Sequence, residues 1–458
     1  MFRGKVRVVH FVGIGGIGMS GIAEVLMTLG FRVTGSDLKD SATVERLRQL
    51  GAHVAQGHDA AHVGEADVVV VSSAVKPENP EVAGALARGI PVVRRAEMLA
   101  ELMRLKYGIA IAGTHGKTTT TSMIASCLAA AGLDPTVVIG GRFDRLGGTN
   151  ARLGTGEYLV AEADESDGTF NVLSPTVTVV TNIDPEHLDH HGTIENLEDA
   201  FARFANSVPF YGFSVLCLDH PRVQALIPRV RRRVVTYGFA RHADVRATRI
   251  RFEGLQTRFT VWRDGEDLGE VHLGMPGRHN VQNATGAVAA ALELSIPFAQ
   301  VQEALHGFSG VERRFTVVGE PNGILLVDDY AHHPVEIQAT LGAADTAFPD
   351  RRIVAIFQPH RYTRVRDLWD GFCTSFNRAS VVVICPVYAA GEEPIPGIDH
   401  ERIAHDMRER GHKGTRAVAD LAAAADLLVT ALKKGDVAIA LGAGNVNQVV
   451  RDLEARLR

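Results

Sequence analysis

Residues Gly113 to Thr120 read GTHGKTTT, a glycine-rich turn between the apolar run YGIAIA and the helix-like stretch SMIASCLAAAG. A strand, a glycine turn and a helix in this order are typical of a phosphate-binding loop, in which backbone N–H groups cradle the anion. The spacing G-x-x-G-K-T is shorter than the general pattern, because Ile111 stands where a glycine is usual. Lys117 would still reach the terminal phosphates, and the Thr118 hydroxyl can bind magnesium. The predicted loop comprises Gly113, Thr114, His115, Gly116, Lys117, Thr118 and Thr119.

Acidic residues follow the next two apolar runs. EYLVAEADESD contains Glu162, Asp164 and Glu165, and TVTVVTNIDPEH contains Asp184 and His187. Because the carboxyl ends of parallel strands meet at one edge of a sheet, these side chains should converge on one magnesium–nucleotide complex. A neutral imidazole is a less usual magnesium ligand than an oxygen, so His187 could equally be a capping or packed histidine.

Length and composition indicate a globular α/β protein of roughly three domains. The chain has 458 residues, 46% of them apolar and 22% charged, and a formal net charge of −5, which gives no global basic field for nucleic acid. Alternating strand and helix patterns fill residues 1–105, 106–310 and 311–458, and period-two alternation from about Arg231 to Gly274 predicts a small antiparallel sheet in the second domain. No apolar run is long enough for a membrane span, which predicts a soluble, cytoplasmic protein without membrane insertion.

A second glycine loop lies near the start of the chain. VHFVGIGGIGMSG carries G-x-G-x-x-G at Gly13, Gly15 and Gly18, and Asp37 ends the next predicted strand. This arrangement is typical of dinucleotide-binding domains, where the loop approaches a diphosphate and the acidic residue meets a ribose hydroxyl. The motif does not reveal the base, so an NAD-dependent dehydrogenase and a turn that binds nothing both remain open.

Six segments together resemble one family, the Mur ligases of bacterial peptidoglycan synthesis. They are GTHGKTTT, EADESD, NIDPEHLDH, GRHNVQNA, DDYAHHP and FQPHRYTR, in the family's order over essentially the whole chain. The resemblance implies a Rossmann-like N-terminal domain for a UDP-substrate, a central ATPase domain and a Rossmann-like C-terminal domain for an amino acid. The resemblance is greatest to the branch that joins L-alanine to UDP-N-acetylmuramate with ATP and Mg²⁺. We expect a monomer or weak homodimer.

The resemblance also implies roles for individual residues. The UDP-sugar diphosphate would lie on the first glycine loop, and Thr118 and Glu162 would serve one magnesium ion and His187 another. The residues implied to bind the UDP-sugar are Gly13, Gly15, Gly16, Gly18, Asp37, Ser72 and Ser73, and Tyr330 and His332 are implied to face the substrates. Those implied to bind ATP outside its phosphate loop are His279, Asn280, Asn283, Arg314 and Asp329, and those implied to bind alanine are His360, Arg361 and Arg364. The expected catalytic residues are Lys117, His187, Arg314, His332 and His360.

Several alternatives remain open at this stage. Asn280 and Asn283 could cap a helix, and either Arg313 or Arg314 could meet the terminal phosphate, with Arg314 favoured. The base that deprotonates the amine could be any of His190, His191, His332 and His360. Rival functions are a ligase that attaches a whole tripeptide to the same UDP-sugar, an NAD-binding oxidoreductase or sensor, and an ATP-binding protein without ligase activity.

Overall fold

The computed structural model describes residues 6–72, 74–143, 149–166, 168–186, 188–308 and 310–458. Ser73 and His187, both predicted site residues, lie outside the described residues. The chain forms two compact units, one made of the residues up to Thr248 with Thr260–Val271 and Gln282–Gly307, the other of Arg249–Phe259, His272–Val281 and Phe308–Arg458. No helix in the described ranges is long and apolar enough to cross a bilayer.

The first sheet has five parallel strands in the order β3-β2-β1-β4-β5. This is the strand order of an open Rossmann-like sheet. The order reverses between β1 and β4, which leaves a crevice at the carboxyl ends of these two strands. The short strand β3 was not predicted, because its end residues His53 and Gln56 are polar and exposed, and Val54 and Ala55 between them are only partly buried. The elements are β1 (Val8–Val12), α1 (Ile17–Thr28), β2 (Arg32–Asp37), α2 (Ala42–Gln49), β3 (His53–Gln56), β4 (Val68–Val71), α3 (Pro80–Ala87), β5 (Val92–Arg94) and α4 (Arg95–Met103).

The second sheet contains the strands around GTHGKTTT. Its parallel strands run in the order β12-β11-β10-β6-β9-β7, and β8 pairs antiparallel with β7. The carboxyl ends of β6, β9 and β10 are therefore adjacent, as predicted. The elements are β6 (Tyr107–Ala112), α5 (Lys117–Ala130), β7 (Thr136–Phe143), β8 (Thr149–Arg152), β9 (Tyr158–Glu162), β10 (Val177–Val180), α6 (Leu188–His191), α7 (Ile194–Asn206), β11 (Phe213–Cys217), α8 (Pro221–Leu226) and β12 (Arg233–Gly238).

The predicted antiparallel strands continue this second sheet at its β12 edge rather than forming a separate sheet. They are β13 (Val245–Glu253), β14 (Gln256–Arg263) and β15 (Glu266–Leu273). Two-residue loops join them, and Asp264 and Gly265 in the second loop both have positive φ, as a tight hairpin turn requires. The prediction was wrong for β12, which pairs parallel with β11 because helix α8 connects the two strands.

The third sheet has six strands in the order β16-β17-β21-β18-β19-β20, and only β16 is antiparallel to its neighbour. Alternate residues of its strands belong to two separate apolar clusters, such as Phe357 in one and Ile356 in the other, so helices cover both faces. Helices α9 (Arg278–Glu293) and α10 (Phe298–His306) precede this sheet in the chain. The elements that follow are β16 (Thr316–Gly319), β17 (Leu325–Asp329), α11 (Pro334–Ala347), β18 (Ile353–Phe357), α12 (Tyr362–Asp367), α13 (Trp369–Thr374), β19 (Val381–Ile384), α14 (His400–Glu409), β20 (Thr415–Ala417), α15 (Leu421–Ala431), β21 (Val437–Leu441) and α16 (Asn447–Leu457).

Candidate active site

The loop between β6 and α5 has the backbone of a phosphate cradle. Gly113 and Gly116 have φ values of +140° and +82°, which side-chain-bearing residues rarely adopt. A Cβ at position 113 would overlap Thr181 Oγ1, and one at position 116 would lie 2.6 Å from Asn283 Oδ1. The first N–H groups of α5, which begins at Lys117, have no partner within the helix and can receive an anion.

Residues after β10 hold this loop in place. The Asn182 side chain makes two hydrogen bonds with His115, accepting from its N–H at 2.7 Å and donating to its carbonyl oxygen at 2.9 Å. The Thr181 hydroxyl also donates to the carbonyl of His115, and the N–H of Asp184 donates to Thr114 Oγ1 at 2.8 Å. The loop conformation is therefore set by the neighbouring strand end, a role that the sequence did not reveal for Thr181 and Asn182.

Lys117 is folded over the loop and paired with a buried carboxylate. Its Nζ donates to both carboxylate oxygens of Glu165 at 2.9 Å and to the carbonyl oxygen of Gly113 at 2.7 Å. Burial by itself lowers the pKa of Lys117, but the charges of Glu165 and Asp164 outweigh this effect and raise it above its usual value. The ammonium group is therefore charged at neutral pH and available to phosphate oxygens.

The predicted magnesium ligands are only partly within the described residues. Glu162 ends β9 directly beside Ile111 of β6, and Thr118 is buried in the first turn of α5. Across the described ranges, no three His, Cys, Asp or Glu side chains form a group able to hold a metal ion by themselves. Magnesium usually binds to one or two protein oxygens together with phosphates and water, so Thr118 and Glu162 beside a phosphate cradle fit this ion.

The first glycine loop connects β1 to α1 at the crevice of the first sheet. Its N–H groups are held from β2: those of Gly13 and Ile14 donate to the carbonyl oxygen of Ser36 at 2.9 and 3.0 Å. Gly15 N–H donates to Asp37 Oδ2 at 2.9 Å, and a Cβ on Gly15 would meet the same oxygen. Asp37, expected at a ribose, thus contacts the loop directly in this structure.

Gly16, Gly18, Ser72 and Arg95 also lie at this loop. The N–H of Gly16 donates to the carbonyl oxygen of Gly13 at 3.2 Å, and Ser72 lies half-buried just after β4 at the same end of the sheet. Gly18 packs against the guanidinium of Arg95, whose Nη2 is 3.4 Å from Asp164 Oδ2. Arg95 could not be predicted as a neighbour of this loop, because its partners are distant in the chain.

A buried carboxylate of helix α3, that of Glu81, contacts strand β2 of the first sheet. Glu81 accepts a hydrogen bond from Ser36 Oγ at 2.6 Å, and the ring nitrogens of His62 and His10 lie 3.0 and 3.6 Å from its oxygens. Burial by itself raises the pKa of Glu81, but hydrogen bonds from His10, Ser36 and His62 lower it to about 2. Glu81 therefore remains ionised and fixes Ser36, the residue that orients the glycine loop.

In the second unit, Asn280 is buried and His279 half-buried at the start of α9. Burial, aided by the charge of Arg314, lowers the pKa of His279 to about 4, so its imidazole is neutral. The Asn280 amide donates to the carbonyl oxygen of Pro276 at 2.7 Å. Asn283, assigned with them by resemblance, lies in the first unit against Gly116.

The two neighbouring arginines differ in their partners. Arg313 donates to the carbonyl oxygen of Gly442 at 2.6 Å and lies 3.4 Å from Asp328, so its guanidinium is anchored within the third sheet. Arg314 has a looser ion pair with Glu336 at 3.7 Å. Both guanidinium groups lie over the ring of Tyr330, at 4.9 and 5.4 Å from its centroid.

Asp329 is buried at the end of β17. Burial raises its pKa to about 6, although the charge of Arg314 acts in the opposite direction. Its two oxygens accept hydrogen bonds from the N–H groups of Ala331 and Phe315, both at 2.8 Å. In this structure Asp329 therefore shapes the turn that presents Tyr330 and His332.

Two histidines lie together at the carboxyl ends of β17 and β18. The His332 and His360 rings are 5.9 Å apart, and His360 stacks on Tyr388 at 5.5 Å. Arg364 Nη1 lies 3.2 Å from His360 Nδ1, so this nitrogen must accept and Nε2 carries the proton. Burial, followed by the charges of His332 and Arg364, lowers the pKa of His360 to about 4.

Arg361 has a strained backbone beside this pair. Its φ of +67° is unusual for a long side chain, and its N–H donates to the carbonyl oxygen of Tyr388 at 2.9 Å. Nearby, Gln358 and Asn445 exchange two hydrogen bonds of 3.0 Å. The third sheet therefore brings His332, His360, Arg361 and Arg364 to one edge, where cationic and neutral donors suit a carboxylate.

Three family models match successive parts of the chain. The model "Mur ligase family, catalytic domain" matches residues 8–107, "Mur ligase middle domain" matches 111–291, and "Mur ligase, glutamate ligase domain" matches 313–444. The matched ranges cover each of the three sheets in turn.

Individual relatives are similar over their full lengths. UDP-N-acetylmuramate–L-alanine ligase of Sorangium cellulosum is 58% identical, with 100% of this chain and 98% of that protein covered. The ligase of the same name from Trichlorobacter lovleyi is 55% identical, over 99% of this chain and 100% of that protein. A crystal structure of UDP-N-acetylmuramate–alanine ligase from Thermotoga maritima matches with a TM-score of 0.82 and 30% identity, over 98% of both chains. A murein peptide ligase from Psychrobacter arcticus matches with a TM-score of 0.71 and 26% identity, over 98% of both chains.

Proposed function

This chain belongs to the Mur ligase family, and from that premise we propose that it joins L-alanine to the lactyl carboxylate of UDP-N-acetylmuramate at the expense of ATP. The observation that carries this proposal is the 58% identity, over the whole chain, to a ligase with that name. The fold is the three-domain α/β fold of the family, for which we propose boundaries at 1–105, 106–310 and 311–458. We also propose that the enzyme acts in the cytoplasm.

The phosphate cradle supports a site for ATP in the central domain. We assign the γ-phosphate to Lys117, whose charged Nζ already lies over the loop. Thr118 and Glu162 would hold one Mg²⁺ and His187 a second, and the ions supply positive charge to the phosphate oxygens when bound. The buried Glu165 keeps the lysine charged and directed at the loop before ATP arrives.

The reaction needs ATP because a carboxylate is a poor electrophile. A lactyl carboxylate oxygen attacks the γ-phosphorus, the bond to the β–γ bridging oxygen breaks, and ADP leaves. The resulting acyl phosphate is attacked at carbon by the neutral amine of alanine, and the C–O bond of the tetrahedral intermediate breaks to release phosphate. Lys117 and Arg314 would stabilise the charge on the transferred phosphoryl group, as positioned cations do in this chemistry.

Residues of the third sheet support a site for alanine. Arg361 and Arg364 can bind its carboxylate, and His332 and His360 lie beside them. The low pKa of His360 makes it a neutral Nε2–H donor rather than a strong base at neutral pH, so we favour a positioning role for it. Because Arg313 is anchored to Gly442 and Asp328, its partners support Arg314 as the phosphate-binding arginine.

Phosphate release tests the substrate assignment. The protein is incubated with Mg-ATP and UDP-N-acetylmuramate, with L-alanine present, absent or replaced by the L-Ala-γ-D-Glu-meso-diaminopimelate tripeptide. We expect release only when both the sugar and alanine are present. Release with the sugar and tripeptide but not with the sugar and alanine would assign the protein to the ligases that attach a whole tripeptide to the same UDP-sugar, and no release with either would refute the proposal.

A further inference from the structure

The guanidinium of Arg95 lies against Gly18 of the first glycine loop. Gly18, in the first turn of α1, does not have a left-handed φ, so its backbone does not require glycine. A Cβ at position 18 would overlap Arg95 Nη1 and lie 3.1 Å from its Cδ. Nη1 is the far end of a flexible side chain, so the contact shows that Arg95 lies against the start of the helix but does not by itself require glycine at position 18.

The loop itself is poorly supplied with positive charge. The segment GIGGIGMSG contains no lysine or arginine. The N–H of Gly15 already donates to the carboxylate of Asp37, and those of Gly13 and Ile14 to Ser36. A diphosphate placed here meets the carboxylate of Asp37 as well as the N-terminus of α1, so a cation beside the helix would offset the acidic charge and favour binding.

Asp164 holds Arg95 at this position without sequestering it. The contact between Arg95 Nη2 and Asp164 Oδ2 is 3.4 Å long, and the two side chains are 30% and 43% exposed. The second oxygen of Asp164 accepts the N–H of Ser166 at 3.1 Å, which fixes the carboxylate. An exposed pair of this length is weak, and the planar guanidinium is suited to phosphate oxygens.

We propose that Arg95 is a further substrate-binding residue that places its guanidinium on the diphosphate of the UDP-sugar. The inference rests on the proposed function and names the charged group that the glycine loop lacks. Asp164 acts as the positioning residue, because its contact directs Arg95 toward Gly18 from the segment that also surrounds Lys117.

The test compares ligands with and without phosphates. UDP and uridine are titrated into the full-length wild type and Arg95→Gln by calorimetry and ligand-observed NMR at constant salt. Loss of one charge-assisted contact to phosphate should weaken UDP binding about 10- to 100-fold and change uridine binding less than about 2-fold. Arg95→Lys should be intermediate, because it keeps the charge without the planar fork. The exposed neighbour Arg94 provides the matched control, since Arg94→Gln keeps the backbone N–H that donates to Glu97.

The outcomes separate a binding role from a structural one. Weaker binding of UDP alone, with Arg94→Gln equal to the wild type, supports the inference. Equal losses for UDP and uridine in both Arg95 variants, or unchanged UDP binding in Arg95→Gln, would overturn it. If the wild type bound no UDP, the proposed function itself would be wrong and the inference with it. Thermal denaturation of each variant checks folding, and Arg95→Lys replaces Arg95→Gln if the latter does not fold.

Discussion

Replacing Lys117 should separate two effects of one side chain, the stability of the loop and the chemistry of ATP. Lys117 pairs with Glu165, which is only 2% exposed, while the lysine itself is 19% exposed. Removing one partner of a buried ion pair costs roughly 3–5 kcal/mol because the other charge stays buried. Since Lys117 is partly exposed, we expect Lys117→Ala to lower the free energy of unfolding by about 3 kcal/mol. At roughly 2–4 °C for each kcal/mol, the melting temperature of this unit should fall by about 6–12 °C.

The double variant Lys117→Ala, Glu165→Ala removes the unpaired charge. It should regain about 2 kcal/mol of the lost stability while remaining inactive, because the ammonium group that binds phosphate is still missing. Turnover in both variants should fall at least about 10²- to 10³-fold. UDP binding should be unchanged, since the hydrogen bonds described for Lys117 go to Gly113, Thr114 and Glu165, which belong to the second glycine loop and its surroundings.

Urea unfolding followed by circular dichroism and phosphate release provide the two measurements. Lys413→Ala serves as a control because Lys413 is exposed and lies in the second unit. ATP-dependent turnover in Lys117→Ala close to that of the wild type would refute the role of Lys117 in catalysis. A double variant less stable than the single variant would refute the ion-pair argument.

Three further predictions concern the loops and the buried charges. Gly113→Ala should abolish ATP binding in a fluorescent-nucleotide titration, because φ is +140° and the new Cβ overlaps Thr181 Oγ1; unchanged affinity would contradict this. Glu81→Ala should cost roughly 2–3 kcal/mol in urea unfolding, since Ser36 and His62 lose their hydrogen-bond acceptor and His10 and His58 lose a neighbouring carboxylate, and a wild-type midpoint would contradict this. The low pKa of Glu81 means that its contribution is complete above the unfolded value of 4.5 and is lost as pH falls toward about 2; the variant should lack this acid dependence. His360, with a folded pKa of about 4, should show no NMR titration between pH 6 and 8, and its contribution to stability should decrease as pH falls from 6.5 toward 4.

The sequence predicted those parts of the fold that local pattern determines. Strands with apolar runs, such as β6, β9 and β10, were predicted and found, because they are largely buried. The buried strand β11 was not predicted. The short strands β3, β16 and β20 were missed because their side chains are partly exposed. The direction of β12 was missed because alternation indicates a half-exposed strand but not its partner.

Side-chain pairs distant in the chain could not be predicted. Lys117 was recognised from its motif, but its pairing with Glu165, 48 positions away, depends on the adjacency of β6 and β9. Arg95 was not among the predicted site residues, and in the fold β5 ends at Arg94 and α4 begins at Arg95. Position in the folded chain gives Arg95 its contacts with Gly18 and Asp164, and no local pattern encodes them.

Transfer of oxygen from the sugar to phosphate tests the central claim most directly. UDP-N-acetylmuramate labelled with ¹⁸O in the lactyl carboxylate is incubated with the enzyme, Mg-ATP and L-alanine, and the released phosphate is analysed by mass spectrometry. If the carboxylate attacks the γ-phosphorus, each phosphate formed should carry one ¹⁸O from the fully labelled carboxylate, in step with the alanyl product. Phosphate without the label, or release without alanyl product, would contradict an ATP-dependent ligation through an acyl phosphate.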